Sequence, residues 1–247
     1  MRAVDEMITR RKFLRHGLSG WAIFWAAWLK NPFPGWAETD YFSGTDFVGK
    51  TRAGEYRHFY INFWKPMRRI RPGHWHLEVT GLCENPRRFT LDEIKSLPVK
   101  KRSSRLKCVE CWSARAEWRG CRVTDLESLV RPLPEARGVV FHCADAFREY
   151  LSRECLHREE TLLAYAMDGE PLPDEHGYPL RVIIPFKYGY KNPKSILKME
   201  YVSGTQPGTW SKIGPYSIDG TILPGYDHPL DLGQSTRRIP GGEITEY

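Results

Sequence analysis

Two cysteines three positions apart, Cys108 and Cys111, stand in the stretch RLKCVECWS with the acidic Glu110 between them. A zinc site, a thiol redox pair, a disulfide and a single metal-binding thiolate are four interpretations of such a pair. A structural zinc site usually takes four ligands as two close pairs, and the other four cysteines of this chain stand singly. A thioredoxin-type redox pair opens a helix within a βαβ unit, and the sequence around this pair lacks that pattern.

The two remaining interpretations stay open on the cysteine spacing alone. A bridge between Cys108 and Cys111 would close a small, strained ring, so any disulfide would join more distant cysteines. For Cys83, Cys121 and Cys155, a buried small apolar side chain is the simpler interpretation. A single thiolate, by contrast, suffices for a soft transition metal when an organic cofactor provides the other ligands. Such a cofactor needs a polar cradle elsewhere in the chain.

The loop-rich stretch HGYPLRVIIPFKYGYKNPKS, residues 176–195, has the composition of such a cradle. Lys187, Lys191 and Lys194 follow a predicted strand, and lysines in loops suit a phosphate group. The tyrosines among them can stack on a flat heterocycle, and Gly189 lets the backbone approach a ligand closely. The same pattern also fits a solvated basic loop.

The elements that must position these residues are mostly short strands. Alternation of Trp75, Leu77 and Val79 with polar residues predicts a strand ending at Gly81. Capping-box patterns predict helices that start at Thr90 and Thr124. Further strands are predicted at 103–108, 138–143, 180–186 and 195–202, and the apolar stretch 161–167 ends in a turn. We therefore predict an α+β fold with many short strands and long functional loops.

The N-terminal residues 1–37 have the pattern of an export signal. Arg10 and Arg11 precede a short apolar run over residues 18–29, which is too short to span a bilayer. An arginine pair in this position is typical of the twin-arginine route, with a cleavage site after Ala37. We expect the protein to reach the periplasm by this route, which carries proteins already folded and often around a cofactor.

The bulk composition is that of a globular protein. The chain has 247 residues, a net charge of +7, and 41% hydrophobic and 27% charged residues. Much of the positive charge lies in residues 1–37, and no stripe of Arg and Lys among aromatics favours nucleic acid as a partner. The predicted organisation is the signal at 1–37, an irregular segment at 38–74 and one domain over 75–247.

Three motifs together resemble the sulfite oxidase family of molybdenum–molybdopterin enzymes. Residues 162–196 are similar to the pterin-binding segment of that family. RLKCVECWS and the later Trp118-Arg119-Gly120 resemble one branch, the periplasmic protein-methionine-sulfoxide reductase catalytic subunits. The tail YDHPLDLGQSTRRI at 226–239 is similar to the ending of that branch. The resemblance spans roughly residues 58–240.

By position in these motifs, the resemblance implies that Cys108 is the thiolate ligand of molybdenum and a catalytic residue. Glu110 would line the metal pocket and relay a proton or repel anions, whereas Cys111 falls at a variable position. Cys143 and His176 stand where the branch has threonine and asparagine. The molybdopterin-binding residues, to which the basic loop adds two lysines, are then expected to be His58, Tyr60, Ile61, Cys108, Cys143, His176, Arg181, Lys187, Lys191, Asn192, Pro193 and Lys194.

The resemblance also implies a sulfite-oxidase-type molybdopterin-binding fold and oxygen-atom transfer, with the cofactor carrying the difficult chemistry. An acid beside the cysteine, where the oxidases have arginines, favours a neutral sulfoxide such as protein methionine sulfoxide over sulfite. The chain has no haem-attachment motif, so electrons are expected from a separate haem-containing membrane subunit. No C-terminal immunoglobulin-like dimerisation domain is expected, which predicts a monomer. The alternatives are sulfite-oxidase-like oxidation of a small sulfur compound and a non-enzymatic, exported zinc- or disulfide-stabilised binding module.

Overall fold

The computed structural model describes residues 41–42, 45–50, 58–109, 113–222, 226–227 and 237–238. The strands are β1 (Tyr41–Phe42), β2 (Thr45–Lys50), β3 (His58–Asn62), β4 (Met67–Arg68), β5 (His76–Gly81), β6 (Arg87–Thr90), β7 (Lys100–Lys107), β8 (Ser113–Cys121), β9 (Gly138–Cys143), β10 (Arg148–Ser152), β11 (Leu162–Met167), β12 (Glu170–Pro171), β13 (Arg181–Ile183), β14 (Ile196–Val202), β15 (Tyr226–Asp227) and β16 (Arg237–Arg238). The helices are α1 (Leu91–Ser96), α2 (Val123–Val130), α3 (Arg153–His157) and α4 (Thr209–Ile213), and single 3-10 turns form at Asp174–His176 and Gly189–Lys191.

A five-stranded mixed sheet forms one half of the fold, in the order β10-β9-β14-β5-β6. Strand β14 runs parallel to β5 and antiparallel to β9. The alternation predicted for β5 is confirmed, because Leu77 and Val79 are fully buried while the residues between them are half-buried. They pack in one core with Phe141, Met199 and the helix residue Leu126.

A second, antiparallel sheet has the order β12-β11-β8-β7, and β13 also pairs with β11. Its two longest strands form a hairpin in which Lys107 lies opposite Ser113, so the cysteine motif occupies the connecting turn. Trp118, Ala116 and Leu162 build a separate core on this sheet. Phe59 and Ile61 of β3 belong to the same core, so this hairpin is packed against the N-terminal strands.

The α+β class is confirmed, and the departures from prediction are local. The helix predicted to have Thr124 as its N-cap instead has Arg122 as its N-cap and begins at Val123, where the Asp125 carboxylate accepts a hydrogen bond from the Arg122 amide at 3.2 Å. The segment 38–74 was expected to be irregular, but its described residues contain β1–β4. The strand predicted at 180–186 ends at Ile183, because the next carbonyl accepts the Lys187 amide in a turn.

Beyond β14, the described residues form helix α4, its following loop and the short pair β15–β16. An immunoglobulin-like sandwich is not among these elements in the part of the chain that the structure covers. None of the helices within the described ranges has both the length and the apolar character needed to cross a membrane.

Candidate active site

Cys108 follows directly on the last residue of β7, at the start of the turn that leads into β8. Its side chain is partly exposed. It packs beside a small cluster that contains Val109, Tyr190 and Tyr216. Residues 110–112 lie outside the described residues, so the roles of Glu110 and Cys111 stay predictions.

A cavity of about 130 Å³ opens beside Cys108. Several separate parts of the chain supply its wall: strand β3, the turn after β7, the turn between β9 and β10, the stretch 175–194 and the region of α4. The lining residues are Phe59, Ile61, Asn62, Trp64, Leu106, Cys108, Val109, Asp145, Phe147, Glu175, His176, Arg181, Gly189, Tyr190, Asn192, Pro193, Lys194, Trp210 and Tyr216.

One end of this cavity is cationic. Arg181 donates a hydrogen bond from Nη1 to the carbonyl oxygen of His176 at 2.8 Å, and Lys194 donates from Nζ to the carbonyl oxygen of Glu175 at 2.7 Å. The guanidinium carbon of Arg181 lies 5.1 Å from the centre of the Trp118 ring. Backbone carbonyls therefore hold both side chains in place, and a ring face also lies beside Arg181.

Burial lowers the pKa values of the ionisable groups at this cationic end. It lowers the pKa of His176 to about 3 and the pKa of Arg181 to about 10. Burial and then the charge of Arg181 lower the pKa of Lys194 to about 7. An anion placed among these three groups would favour their charged forms, because opposite charges stabilise each other at close range. The site is therefore suited to an anionic ligand.

Two buried nitrogen atoms in this end indicate a polar ligand. His176 Nδ1 and Arg181 Nε have no hydrogen-bond partner among the described residues. Unpaired buried polar atoms are uncommon and costly in native proteins. A pterin with its phosphate carries hydrogen-bonding atoms and negative charge, so the residues present fit such a group.

Gly189 brings the basic loop against the cysteine turn. A Cβ atom at this position would lie 3.2 Å from Leu106 Cδ2 and 3.9 Å from Cys108 Cα. A side chain at this position would require the end of the Leu106 side chain to shift by a few tenths of an ångström. Gly189 thus lies close to the segment that carries Cys108, and its approach to a ligand stays a prediction.

Several other predicted residues also reach the cavity. Ile61, Asn192 and Pro193 line it. The Asn192 side chain fixes the loop, because its Oδ1 accepts a hydrogen bond from the Ile184 amide at 2.6 Å and its Nδ2 donates to the Tyr188 carbonyl at 3.0 Å. His58 and Tyr60 lie on β3, but their side chains are outside the described part of the structure.

Lys187, Lys191 and Cys143, which are expected to bind the cofactor, are not among the residues that line this cavity. The Lys187 ammonium donates hydrogen bonds to Asp219 Oδ1 at 2.8 Å and to Thr221 Oγ1 at 3.0 Å. Lys191 and Cys143 are buried as well. Cys143 lies at the end of β9, and burial raises the pKa of its thiol well above the usual range.

Lys191 is held away from the cavity by hydrogen bonds to other protein groups. Its ammonium group pairs with the carboxylate of Glu149 and donates hydrogen bonds to the carbonyl oxygens of Tyr150 and Ile218. All three of its donors are therefore used by protein groups. Lys191 ties the basic loop to β10 and to the segment after α4.

The sequence did not single out the aromatic residues of the cavity or its buried acidic residue. Trp64, Trp210 and Tyr216 form a chain of ring contacts, with centroids 5.3 Å and 5.8 Å apart. Asp145 is buried in the turn after β9 and contacts the backbone of Trp64. The available signal was a high local density of aromatic residues around 57–67 and 208–216.

The described residues include five cysteines, of which Cys83, Cys121, Cys143 and Cys155 are buried free thiols and Cys108 is partly exposed. In the same part of the chain, no group of three or more His, Cys, Asp or Glu side chains is arranged to hold a metal ion.

Comparison with known proteins places the chain in a family. The model of the oxidoreductase molybdopterin binding domain matches residues 64–210. The protein-methionine-sulfoxide reductase catalytic subunit MsrP of Ralstonia nicotianae is 32% identical over 235 residues, covering 86% of this chain and 70% of that protein. The MsrP of Burkholderia mallei is 32% identical over 216 residues, covering 79% of this chain and 65% of that protein.

Other matches agree with these. The MsrP of Xanthomonas campestris pv. campestris is 33% identical over 185 residues, covering 68% of this chain and 58% of that protein. The chain thus spans between 58% and 70% of the length of these relatives. The crystal structure of the sulfane dehydrogenase SoxCD from Paracoccus pantotrophus has a similar fold, with a TM-score of 0.56, 16% identity, and coverage of 78% of this chain and 55% of that one.

The family model covers more than half of the chain, and the Ralstonia relative is more than 30% identical over most of both proteins. The family and branch expected from the motifs are therefore confirmed. This chain belongs to the oxidoreductase molybdopterin-binding domain family, in the branch of the MsrP catalytic subunits.

Proposed function

We propose that this chain binds a molybdenum–molybdopterin cofactor and reduces sulfoxides, such as methionine sulfoxide in oxidised proteins. In the overall reaction, a sulfoxide takes up two electrons and two protons and yields a thioether and water. When bound, the cofactor supplies oxygen-atom transfer at molybdenum. The names of the MsrP relatives support this substrate class.

One observation carries the proposal. Cys108 and the cations Arg181 and Lys194 come from distant parts of the chain, yet they line the same cavity. A soft thiolate beside an anion-binding end is the donor set that a metal on an anionic organic cofactor requires. A solvated basic loop, the plainer interpretation of the lysine-rich stretch, would not line such a cavity.

Each residue of the site would have its own role in binding the cofactor or in the reaction. The Cys108 thiolate would hold molybdenum, and His176, Arg181 and Lys194 would bind the pterin and its phosphate. Asn192 and Pro193 would shape the loop that carries Lys194, and the β3 residues His58, Tyr60 and Ile61 would lie along the pterin. Glu110 would exchange a proton with the substrate oxygen or keep anions away.

Oxidation of a small anionic sulfur compound such as sulfite is the second candidate. Arg181 and Lys194 favour it, because two cations in one cavity can also attract an anionic substrate. The acid at position 110 disfavours it, since an ionised carboxylate beside the metal would repel sulfite.

Cellular context forms part of the proposal. The arginine pair at residues 10–11 and the apolar run at 18–29 support export to the periplasm by the twin-arginine route. The relatives are named catalytic subunits, which supports a separate electron donor, and we propose a haem-containing membrane protein for this role. We further propose that the catalytic chain works as a monomer.

The experiment that tests the function is a metal analysis joined to a turnover assay. Protein purified from cells that make the cofactor should contain about one molybdenum per chain and reduce methionine sulfoxide with electrons from a reduced dye. Cys108→Ala should lose the molybdenum and the turnover while keeping the fold by circular dichroism. Cys111→Ser is the matched control and should keep both.

Three outcomes would contradict the proposal. The first is zinc, or no metal, in the purified protein. The second is full turnover by Cys108→Ala. The third is oxidation of sulfite without reduction of any sulfoxide, which would favour the second candidate.

A further inference from the structure

Four aromatic side chains form a continuous surface along the cavity. These residues, the aromatic wall, are Trp64, Trp210, Tyr216 and Tyr190. Successive ring centroids are 5.3 Å, 5.8 Å and 5.6 Å apart, in edge or tilted arrangements. Such arrangements are favourable contacts between rings, so the wall is a packed unit and not a chance collection of side chains.

The aromatic wall and the cations Arg181 and Lys194 line the same cavity. Arg181 and Lys194 belong to the end that fits the anionic cofactor. Cys108 and Trp210 pack against the cluster that contains Tyr190 and Tyr216. The thiol that would hold the metal is therefore bordered by aromatic rings, which a substrate at the metal would meet.

Exposure differs along the wall. Tyr190 and Tyr216 are buried, whereas Trp64 and Trp210 are half-buried and can be reached from solvent. The Tyr190 hydroxyl donates a hydrogen bond to the Ser217 carbonyl at 2.8 Å, which fixes the inner part. A side chain entering the cavity would meet the two tryptophans first.

Aromatic rings favour a particular kind of guest. Sulfur atoms make favourable contacts with ring edges, and methyl and methylene groups gain by burial against them. A methionine sulfoxide side chain has both features and no net charge. A small anion such as sulfite has no methyl or methylene group to bury and carries a net charge.

We propose that the aromatic wall is the substrate-binding surface for the methionine sulfoxide side chain, and that Trp64 and Trp210 determine the preference for it. This inference rests on the proposed function and adds the residues that recognise the substrate. The wall orients the substrate and takes no part in electron or proton transfer. Its removal weakens binding and leaves the chemical step in place.

The test uses the molybdenum-loaded, oxidised protein without an electron donor, so that binding is measured apart from turnover. Two fluorescently labelled peptides are compared by anisotropy, one with a methionine sulfoxide and one with glutamine at the same position. We expect Trp64→Ala and Trp210→Ala each to raise the Kd of the sulfoxide peptide about tenfold, a difference of about 1.4 kcal/mol. In the turnover assay, KM should rise by a similar factor, with kcat within about twofold of the wild type.

Trp210→Phe should retain most of the affinity, because it keeps a ring at the same place. Leu129→Ala is the matched control, since it removes an exposed apolar side chain from helix α2, outside the cavity wall. Molybdenum content is measured in every variant and should not change.

Two results would overturn the inference: an unchanged Kd in both tryptophan-to-alanine variants, or a wild type that binds the two peptides equally well. Failure of the proposed function looks different. In that case the wild type lacks molybdenum or reduces no sulfoxide, whatever the binding measurements show.

Discussion

The backbone amide of Trp64 donates a hydrogen bond to Asp145 Oδ2, with the nitrogen and oxygen 2.8 Å apart. The other carboxylate oxygen, Oδ1, accepts the Phe147 amide at 3.1 Å. One buried carboxylate therefore holds together two backbone segments that line the cavity. Burial raises the pKa of Asp145, and the two amide hydrogen bonds oppose this rise by stabilising the ionised form.

We expect Asp145→Ala to lower the free energy of unfolding by about 1–3 kcal/mol, because two amides lose their acceptor. Asp145→Asn keeps one acceptor oxygen and should lose less. Urea unfolding followed by circular dichroism measures both variants. If the alanine variant is as stable as the wild type, the hydrogen bonds from the Trp64 and Phe147 amides contribute nothing to the stability of the fold.

Lys194 should make the stability of the cofactor-free protein rise with pH in the alkaline range. Its folded pKa of about 7 is well below the reference value of 10.5. Between these values the unfolded chain holds a proton that the folded chain does not, so stability rises with pH from about 7 to 10.5. The slope from one such group is at most about 1.4 kcal/mol per pH unit.

Lys194→Met removes the titrating group and should flatten that part of the profile. Urea unfolding of the wild type and the variant at pH 7, 8 and 9 makes the comparison. Equal slopes in the two proteins would mean that Lys194 keeps an ordinary pKa.

His176 should make the folded protein less stable as the pH falls into the acidic range. Burial first, and then the charges of Arg181 and Lys194, lower its pKa from 6.5 to about 3. As pH falls from about 6.5 towards 3, the unfolded chain gains a proton that the folded chain resists, so stability falls. Thermal unfolding at pH 7, 5 and 4 should show a smaller acid loss in His176→Asn than in the wild type. A variant that loses as much on acidification would exclude His176 as the cause.

The buried pair of Lys191 and Glu149 predicts a large penalty for removing one partner. Their side chains are 1% and 0% exposed. Lys191→Met leaves an unpaired buried carboxylate and should cost about 3–5 kcal/mol of stability. The double change Lys191→Met with Glu149→Leu should recover much of that loss, which urea unfolding can measure. A single variant costing less than about 1 kcal/mol would show that Glu149 becomes protonated or hydrated at little cost.

Features set by neighbouring residues were predictable from the sequence. The capping box at Thr90 is confirmed, because the Glu93 amide donates to Thr90 Oγ1 at 3.2 Å and the Thr90 amide donates to Glu93 Oε2 at 2.8 Å. Both partners lie within one turn, so the local pattern contains the whole interaction. Cys108 and Arg181 stood in motifs with fixed spacing, and both line the cavity.

Features set by distant partners were not predictable. Lys187, Lys191 and Lys194 look alike in the sequence, and only their partners distinguish them. Lys187 meets Asp219 and Lys191 meets Glu149, whereas Lys194 meets a backbone carbonyl and stays at the cavity. Nothing near these lysines in the sequence marks which carboxylates the fold will bring to them. The contact between Trp64 and Trp210 was not predictable for the same reason, because the two residues are far apart in the sequence.

The spread of the cavity wall along the chain has a consequence for biogenesis. Its first residue is Phe59 and its last is Tyr216, so a ribosome must make almost the whole domain before both ends of the cavity exist. Contacts between such remote segments form late, because closing long loops is slow. We therefore expect the cofactor to be inserted after translation, into a chain that has already folded most of its two larger sheets.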